Sequence, residues 1–240
     1  MIKNLNEILE IIIYIFFPRR CAVCDSLIGR KELVCEKCKS NIYTIQGPTC
    51  MKCGKKVKQD EKMYCFDCSR KKHEFERGFA VFEYQDIKGS LYRFKYAGRA
   101  EYAAYYAQKT VEVLGDTIKG LNPDALIPVP LHKKRMRKRG YNQAQEYSIE
   151  LSKKLQIPTN SQFVMREKNT IPLKKLSNEQ RQNNLKKAFK ISQNDVKLKT
   201  IIIIDDIYTT GATIDAVSKI CKEAGVRKVY FLSISIGKGL

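Results

Sequence analysis

Two groups of residues in this chain have types and spacings suited to chemistry. The first is the stretch Thr200 to Ile214, TIIIIDDIYTTGATI. A run of isoleucines leads into Asp205-Asp206, and a loop of threonines around a glycine follows at the start of a helical pattern. In an open parallel sheet, ligands sit beyond the carboxyl ends of the strands. A loop over Tyr208, Thr209, Thr210, Gly211, Ala212 and Thr213 would offer backbone N–H groups and three threonine hydroxyls at a helix N-terminus, an anion site suited to phosphate. Gly211 lets the backbone approach closely. The two carboxylates, expected to face solvent, suit ribose hydroxyls, or Mg²⁺ held through water. A plain Asp N-cap would account for one acid, but not for the pair or for three threonines about a glycine.

The second group is the cysteines. Eight of the nine fall in Cys-x-x-Cys pairs, Cys21/Cys24, Cys35/Cys38, Cys50/Cys53 and Cys65/Cys68, separated by 10, 11 and 11 residues. Each turn can aim two sulfurs at one metal, and two turns complete a tetrahedral Cys₄ site with no open position, which points to two structural Zn²⁺ ions. Gly54 after Cys53 fits a tight knuckle. Sequential pairing is expected, with an interleaved cross-brace as the alternative. Redox chemistry would suit one such pair, but not four at near-equal spacing. With few apolar residues between the pairs, the metal must supply much of the local folding free energy, about 10 kcal/mol per site. Chelation is therefore expected to unfold 21–68 and largely spare the rest. Cys221 reads as core.

The elements that position these groups follow from composition and period. The 240 residues are 43% hydrophobic and 29% charged, which excludes wholesale disorder. Three segments emerge: an apolar N-terminal helix over 1–20, a cysteine module over 21–72 and an α/β unit over 73–240. The apolar lead is too short for the roughly 20 residues of a bilayer span and lacks signal-peptide features. It reads as a short helix docked on the protein, with a membrane-surface anchor as the alternative. Paired cysteines without a leader imply the cytoplasm. In the α/β unit, Phe79, Val81 and Tyr84 mark a strand, and 89–115 reads as helical. Residues 124–129 form a short strand, and 141–155 a helix. The β-branched run 199–204 is a strand buried on both faces. A helix over 212–224, capped by Gly225, and a strand over 228–234 complete a parallel βαβ unit.

The Asp205 stretch closely resembles the phosphoribosyl pyrophosphate (PRPP) motif of type I phosphoribosyltransferases. Ile127–His132 (IPVPLH) lies where that family places its pyrophosphate loop. A cysteine-rich zinc module, PVPLH with a basic run, RGYNQA from Arg139, and DDIYTTGAT, in that order, resemble the ComF family of competence-associated proteins over essentially the whole chain. The blocks FPRRC at 17–21, KYAGR at 95–99 and RQNNL at 181–185 also fit. One position departs: the family has Gln near Leu173, within a segment expected to form a mobile loop over the site.

The resemblance implies a type I phosphoribosyltransferase fold, a parallel-sheet core with a hood, preceded by a double zinc ribbon. It implies that Asp205 and Asp206 hold the ribose hydroxyls, as the candidate catalytic residues. The 208–213 loop would take the 5′-phosphate, and Pro130, Leu131, His132 and Arg139 the rest of the PRPP. It also implies Mg²⁺ with PRPP, single-stranded DNA as a partner in natural transformation, and contact with other DNA-uptake proteins.

A formal charge of +20 calls for anionic company. Six of the seven residues 133–139 are basic, and eight basic residues fall within 166–190. Lys133, Lys134, Arg135, Arg137, Lys174, Lys175 and Arg181 are the candidate DNA contacts, against the alternative of a solvated surface. Tyr92, Tyr96, Tyr102, Tyr105 and Tyr106 could stack bases or could form a helix's apolar face. Three functions compete: a phosphoribosyltransferase with an unnamed nitrogen acceptor, a DNA-handling module that binds PRPP, and a PRPP sensor. Fold alone does not choose among them.

Overall fold

The computed structural model describes residues 8–9, 13–58, 63–166, 188–192 and 197–237. Four parallel strands form the central sheet: β1 (Gly78–Glu83), β2 (Ala125–Pro128), β5 (Thr200–Tyr208) and β6 (Lys228–Ile236), in the order β1-β6-β5-β2. A second, antiparallel ribbon pairs β3 (Val164–Arg166) with β4 (Phe189–Ile191). Two short helices lie among the cysteines, α1 (Glu36–Lys39) and α2 (Phe66–Arg70). The others are α3 (Tyr84–Tyr96), α4 (Tyr102–Gly120), α5 (Lys133–Arg139), α6 (Gln143–Leu155) and α7 (Ala212–Glu223).

The isoleucine run is explained by two-sided burial. Side chains alternate across a strand. Ile202 and Ile204, with Leu232 and Ile234 of β6, face the cluster built by α3, α4 and α6. Ile201 and Ile203, with Val229 and Phe231, face the cluster built by α7. The strand runs further than its apolar residues suggest, because pairing with β6 continues through Asp205↔Ser233 to Tyr208↔Ile236. The acids thus stand within β5 rather than after it.

Three other expectations are corrected. Tyr84 opens α3 instead of ending β1. The expected single helix over 89–115 is two, broken after Tyr96, where Gly98 takes a positive φ of 68° and Arg99 turns back to Asp25 at 2.9 Å. Tyr102, Tyr105 and Tyr106 are buried in the core, so base stacking is closed to them, while Tyr92 and Tyr96 are exposed.

The cysteine ribbons are not appendages. Cys21 and Cys38 belong to the cluster on the α4 face of the sheet, and Cys50, Cys53 and Cys65 to the cluster on the α7 face. The Gly54 knuckle sits so close to β1 that a Cβ there would lie 2.7 Å from the Gly78 carbonyl oxygen. Each ribbon thus completes one face of the core, so loss of either metal would reach beyond 21–68. In the apolar lead, residues 13–16 are helical and the Tyr14 hydroxyl donates to the Ile28 carbonyl at 2.7 Å, while Ile15, Phe16 and Phe17 are 68, 73 and 78% exposed. No helix among the described residues is long and apolar enough to cross a membrane.

Candidate functional site

The site assembles at the carboxyl ends of β5 and β2. Parallel pairing sets Pro128 beside Ile204, and the Val129 N–H bonds to the Ile204 carbonyl at 2.9 Å, so Pro130, Leu131 and His132 leave the sheet next to the acids. The acids do not face open solvent as expected. Asp206 is 15% exposed and pairs with Lys95 of α3 at 3.0 Å. Asp205 accepts the Asp206 backbone N–H at 2.8 Å. Burial, with the neighbouring Asp206 second, raises the Asp205 carboxyl to about 7, against the pull of Lys95 and Arg166.

Beyond the acids, Tyr208 is buried and Thr209 and Thr210 are exposed. Gly211 is the N-cap of α7 with φ 76°, and no side chain caps the helix. A Cβ at Gly211 would lie 2.6 Å from the Tyr208 hydroxyl and 3.0 Å from His73 Cε1, so glycine is required by both space and conformation. Ala212 and Thr213 begin α7. The geometry is that of an anion cradle: uncapped N–H groups, small residues and a positive helix end.

Arg139 is anchored between α3 and α6. Its guanidinium donates to Gln143 Oε1 at 2.8 Å and to the Tyr96 hydroxyl at 3.1 Å, and lies over the Tyr96 ring. Lys95 and Tyr96 are neighbours on α3, so this helix end links Arg139 to Asp206. His132 caps α5 by accepting the Lys134 N–H at its Nδ1. The basic run is itself α5, with Lys133, Lys134, Arg135 and Arg137 exposed. Lys174, Lys175, Arg181 and the expected mobile loop lie outside the described residues.

Sequence reasoning missed three participants. Lys95 sits in a block singled out for resemblance, but nothing in the sequence pairs it with Asp206. Arg166 comes near enough to Asp205 and Arg135 for their charges to act on it. The pair His73–Asp215, 3.0 Å apart, stands below the loop with no local sequence signal.

The cysteines resolve into two sequential sets, Cys21/Cys24/Cys35/Cys38 and Cys50/Cys53/Cys65/Cys68, each with its sulfurs within 4.8 Å of one another. The interleaved alternative is thereby set aside. Across the pairs, Cys24–Cys35 and Cys53–Cys65 stand 3.7 Å apart at sulfur. A tetrahedron with Zn–S near 2.3 Å has an edge of about 3.8 Å, so the donor sets fit Zn²⁺.

A family model described as a double zinc ribbon domain matches residues 12–69. Competence protein F of Haemophilus influenzae is 30% identical over 221 residues, covering 89% of this chain and 95% of that protein. The chain belongs to the ComF family of competence proteins. Competence protein ComFC of Bacillus subtilis is likewise 30% identical, covering 85% of this chain and 89% of its own length. A DNA utilization protein of Salmonella typhi is 26% identical over 87% of this chain and 86% of its own. Among solved structures, a purine phosphoribosyltransferase from Pyrococcus horikoshii overlaps 55% of this chain and 73% of its own at TM-score 0.34 and 16% identity, a likeness that adds nothing to the sheet order itself. The ComF chain thus joins a parallel-sheet α/β core to a double Cys₄ ribbon, as the family resemblance implies.

Proposed function

We propose that this ComF-family chain binds PRPP at the end of β5 and handles imported single-stranded DNA in natural transformation, in the cytoplasm and alongside other DNA-uptake proteins. One observation carries the PRPP reading. An acid pair and an uncapped, glycine-led helix N-terminus stand side by side at the end of a central parallel strand. The 5′-phosphate would lie on the 209–213 N–H groups and the Thr209, Thr210 and Thr213 hydroxyls. Asp205 and Asp206 would take the ribose hydroxyls, and Mg²⁺ through water. The Pro130–His132 loop and Arg139 suit the pyrophosphate end. The DNA reading is supported by the exposed cations of α5 and by relatives named for competence and DNA utilization.

A second reading, Mg²⁺-dependent phosphoribosyl transfer to a nitrogen acceptor, is favoured by a cavity of about 560 Å³. It lies where the second ribbon meets the ends of β1 and β6, lined in part by Tyr84, Gln85 and Gly237. Gly237 donates to the Tyr208 carbonyl at 2.9 Å, so the cavity borders the phosphate loop. Its volume falls within the range of small-ligand sites.

Calorimetric titration with PRPP and Mg²⁺ tests the first reading, with Asp205→Asn/Asp206→Asn as the control. Binding that is lost in the double variant is expected, and equal binding in both proteins would refute the assignment. Pyrophosphate release in the presence of nucleobases or single-stranded DNA would establish transfer.

A further inference from the structure

The strap between the second cysteine ribbon and β1 runs underneath the phosphate loop. Three of its groups converge on Asp215, in the first turn of α7. Lys71 Nζ donates at 2.8 Å, the Glu74 N–H at 3.1 Å, and His73 Nδ1 lies 3.0 and 3.1 Å from the two carboxylate oxygens. The His73 side chain is 2% exposed. Its Nε2 is buried and has no hydrogen-bond partner among the described residues.

The ring is fixed from both sides. It stacks on Phe75 at 4.8 Å, and Phe75 meets the edges of Tyr208 and Phe231, which stack on each other at 4.5 Å. Its Cε1 faces Gly211, the residue whose conformation aims the first N–H groups of α7. Burial alone would raise Asp215, but the bonds from His73 and Lys71 hold it below the ordinary carboxylate range, so it stays charged. A carboxylate in the first turn of a helix opposes an anion at that end unless cations and donors occupy it. Here Lys71 and His73 do so.

We propose that His73 is a positioning residue for the phosphate loop: by engaging Asp215 and bearing on Gly211, it sets the N–H groups that receive the 5′-phosphate of the ligand. This rests on the PRPP reading above. It makes the second ribbon, through its strap, part of the phosphate site without any ribbon residue touching ligand.

The test compares His73→Leu, which fills the space without a donor, with His73→Asn, whose amide stands in for the Nδ1–H. Each is titrated with PRPP, ribose 5-phosphate and pyrophosphate. In His73→Leu, affinity for PRPP and ribose 5-phosphate should fall about tenfold, the scale of one charge-assisted hydrogen bond, with pyrophosphate affinity unchanged. His73→Asn should recover most of the loss, and both variants should keep their zinc. Equal weakening toward ribose 5-phosphate and pyrophosphate, or no weakening at all, would overturn the proposal. A parent protein that binds none of the three ligands would overturn the PRPP reading, and this inference with it.

Discussion

Lys95, at the end of α3, sets its ammonium 3.0 Å from Asp206 Oδ2 at the end of β5, and both side chains are 15% exposed. The acid that would meet ribose and cation already holds a cation of its own. A ligand must therefore displace Lys95 or draw it onto its own phosphates, and either path makes Lys95 responsive to occupancy.

Replacing Lys95 with Met frees Asp206 for other cations. In the absence of PRPP, Mn²⁺ measured by electron spin resonance should bind about fivefold more tightly to Lys95→Met, the worth of roughly 1 kcal/mol for a partly exposed pair. Unchanged Mn²⁺ affinity would show that Asp206 does not receive the metal.

Asp205 predicts a pH dependence with a defined sign. Its carboxyl is raised from 3.8 to about 7 in the fold, chiefly by burial. The unfolded chain ionises first, so stability is lost as pH rises between those two values and is level above the higher one. Asp205→Asn should be more stable than the parent by about 1–2 kcal/mol at pH near 8 and no more stable at pH near 4. Denaturant titrations at both pH values read this directly, and a pH-independent difference would contradict it. In the parent, affinity for Mg²⁺ with PRPP should rise through pH 7 as Asp205 ionises.

The ribbons predict a shared transition. Because Cys50, Cys53 and Cys65 pack with Tyr208, Phe231 and Ile214, and Cys21 and Cys38 pack with Tyr105 and Leu91, each metal site supports one face of the sheet. Elemental analysis should find two Zn²⁺ per chain. Chelation should lower the melting temperature of the whole protein, each site being worth about 10 kcal/mol. A core transition left in place after chelation would show that the ribbons fold apart from it.

What the sequence made legible was short-range. Spacing in the four Cys-x-x-Cys turns carried both metal sets, because each ligand pair is built by a local turn. The isoleucine run and the loop after it carried the central strand and the glycine-led start of α7 for the same reason. Contacts between distant segments left no such mark. His73 and Asp215 are 142 residues apart, and each alone is an ordinary polar residue. Tyrosine suits surface and core alike, so the burial of Tyr102, Tyr105 and Tyr106 was decided by the turn at Gly98, which folds α4 back against the sheet. The acids' placement inside β5 came from pairing with β6 that continues past the isoleucines, Asp205↔Ser233 to Tyr208↔Ile236, where hydrophobicity gives no signal.

The last prediction concerns DNA. On α5, Lys133 and Arg137 lie one turn apart on the same face, with Lys134 flanking them. Arg135, two residues on from Lys133, lies on the other side of the helix, near enough to Arg166 for its charge to act there. A single strand following this helix would therefore meet three of its cations. Each neutralised phosphate releases condensed counterion, so the logarithm of affinity falls with log salt by roughly 0.7 per contact. If further basic residues bring the total to four to six, the slope should lie at roughly −3 to −4. Changing Lys133, Lys134, Arg135 and Arg137 to Ala should make it shallower by about 2 and weaken binding almost uniformly across sequences, since phosphate contacts carry no base code. Arg139 is excluded because Gln143 and Tyr96 hold its guanidinium. Zinc content should stay as in the parent, which separates lost phosphate contacts from a damaged fold. Fluorescence anisotropy with a labelled oligonucleotide over a salt series measures the slope. A flat dependence in the parent, or an unchanged slope in the quadruple variant, would return these cations to the solvated surface.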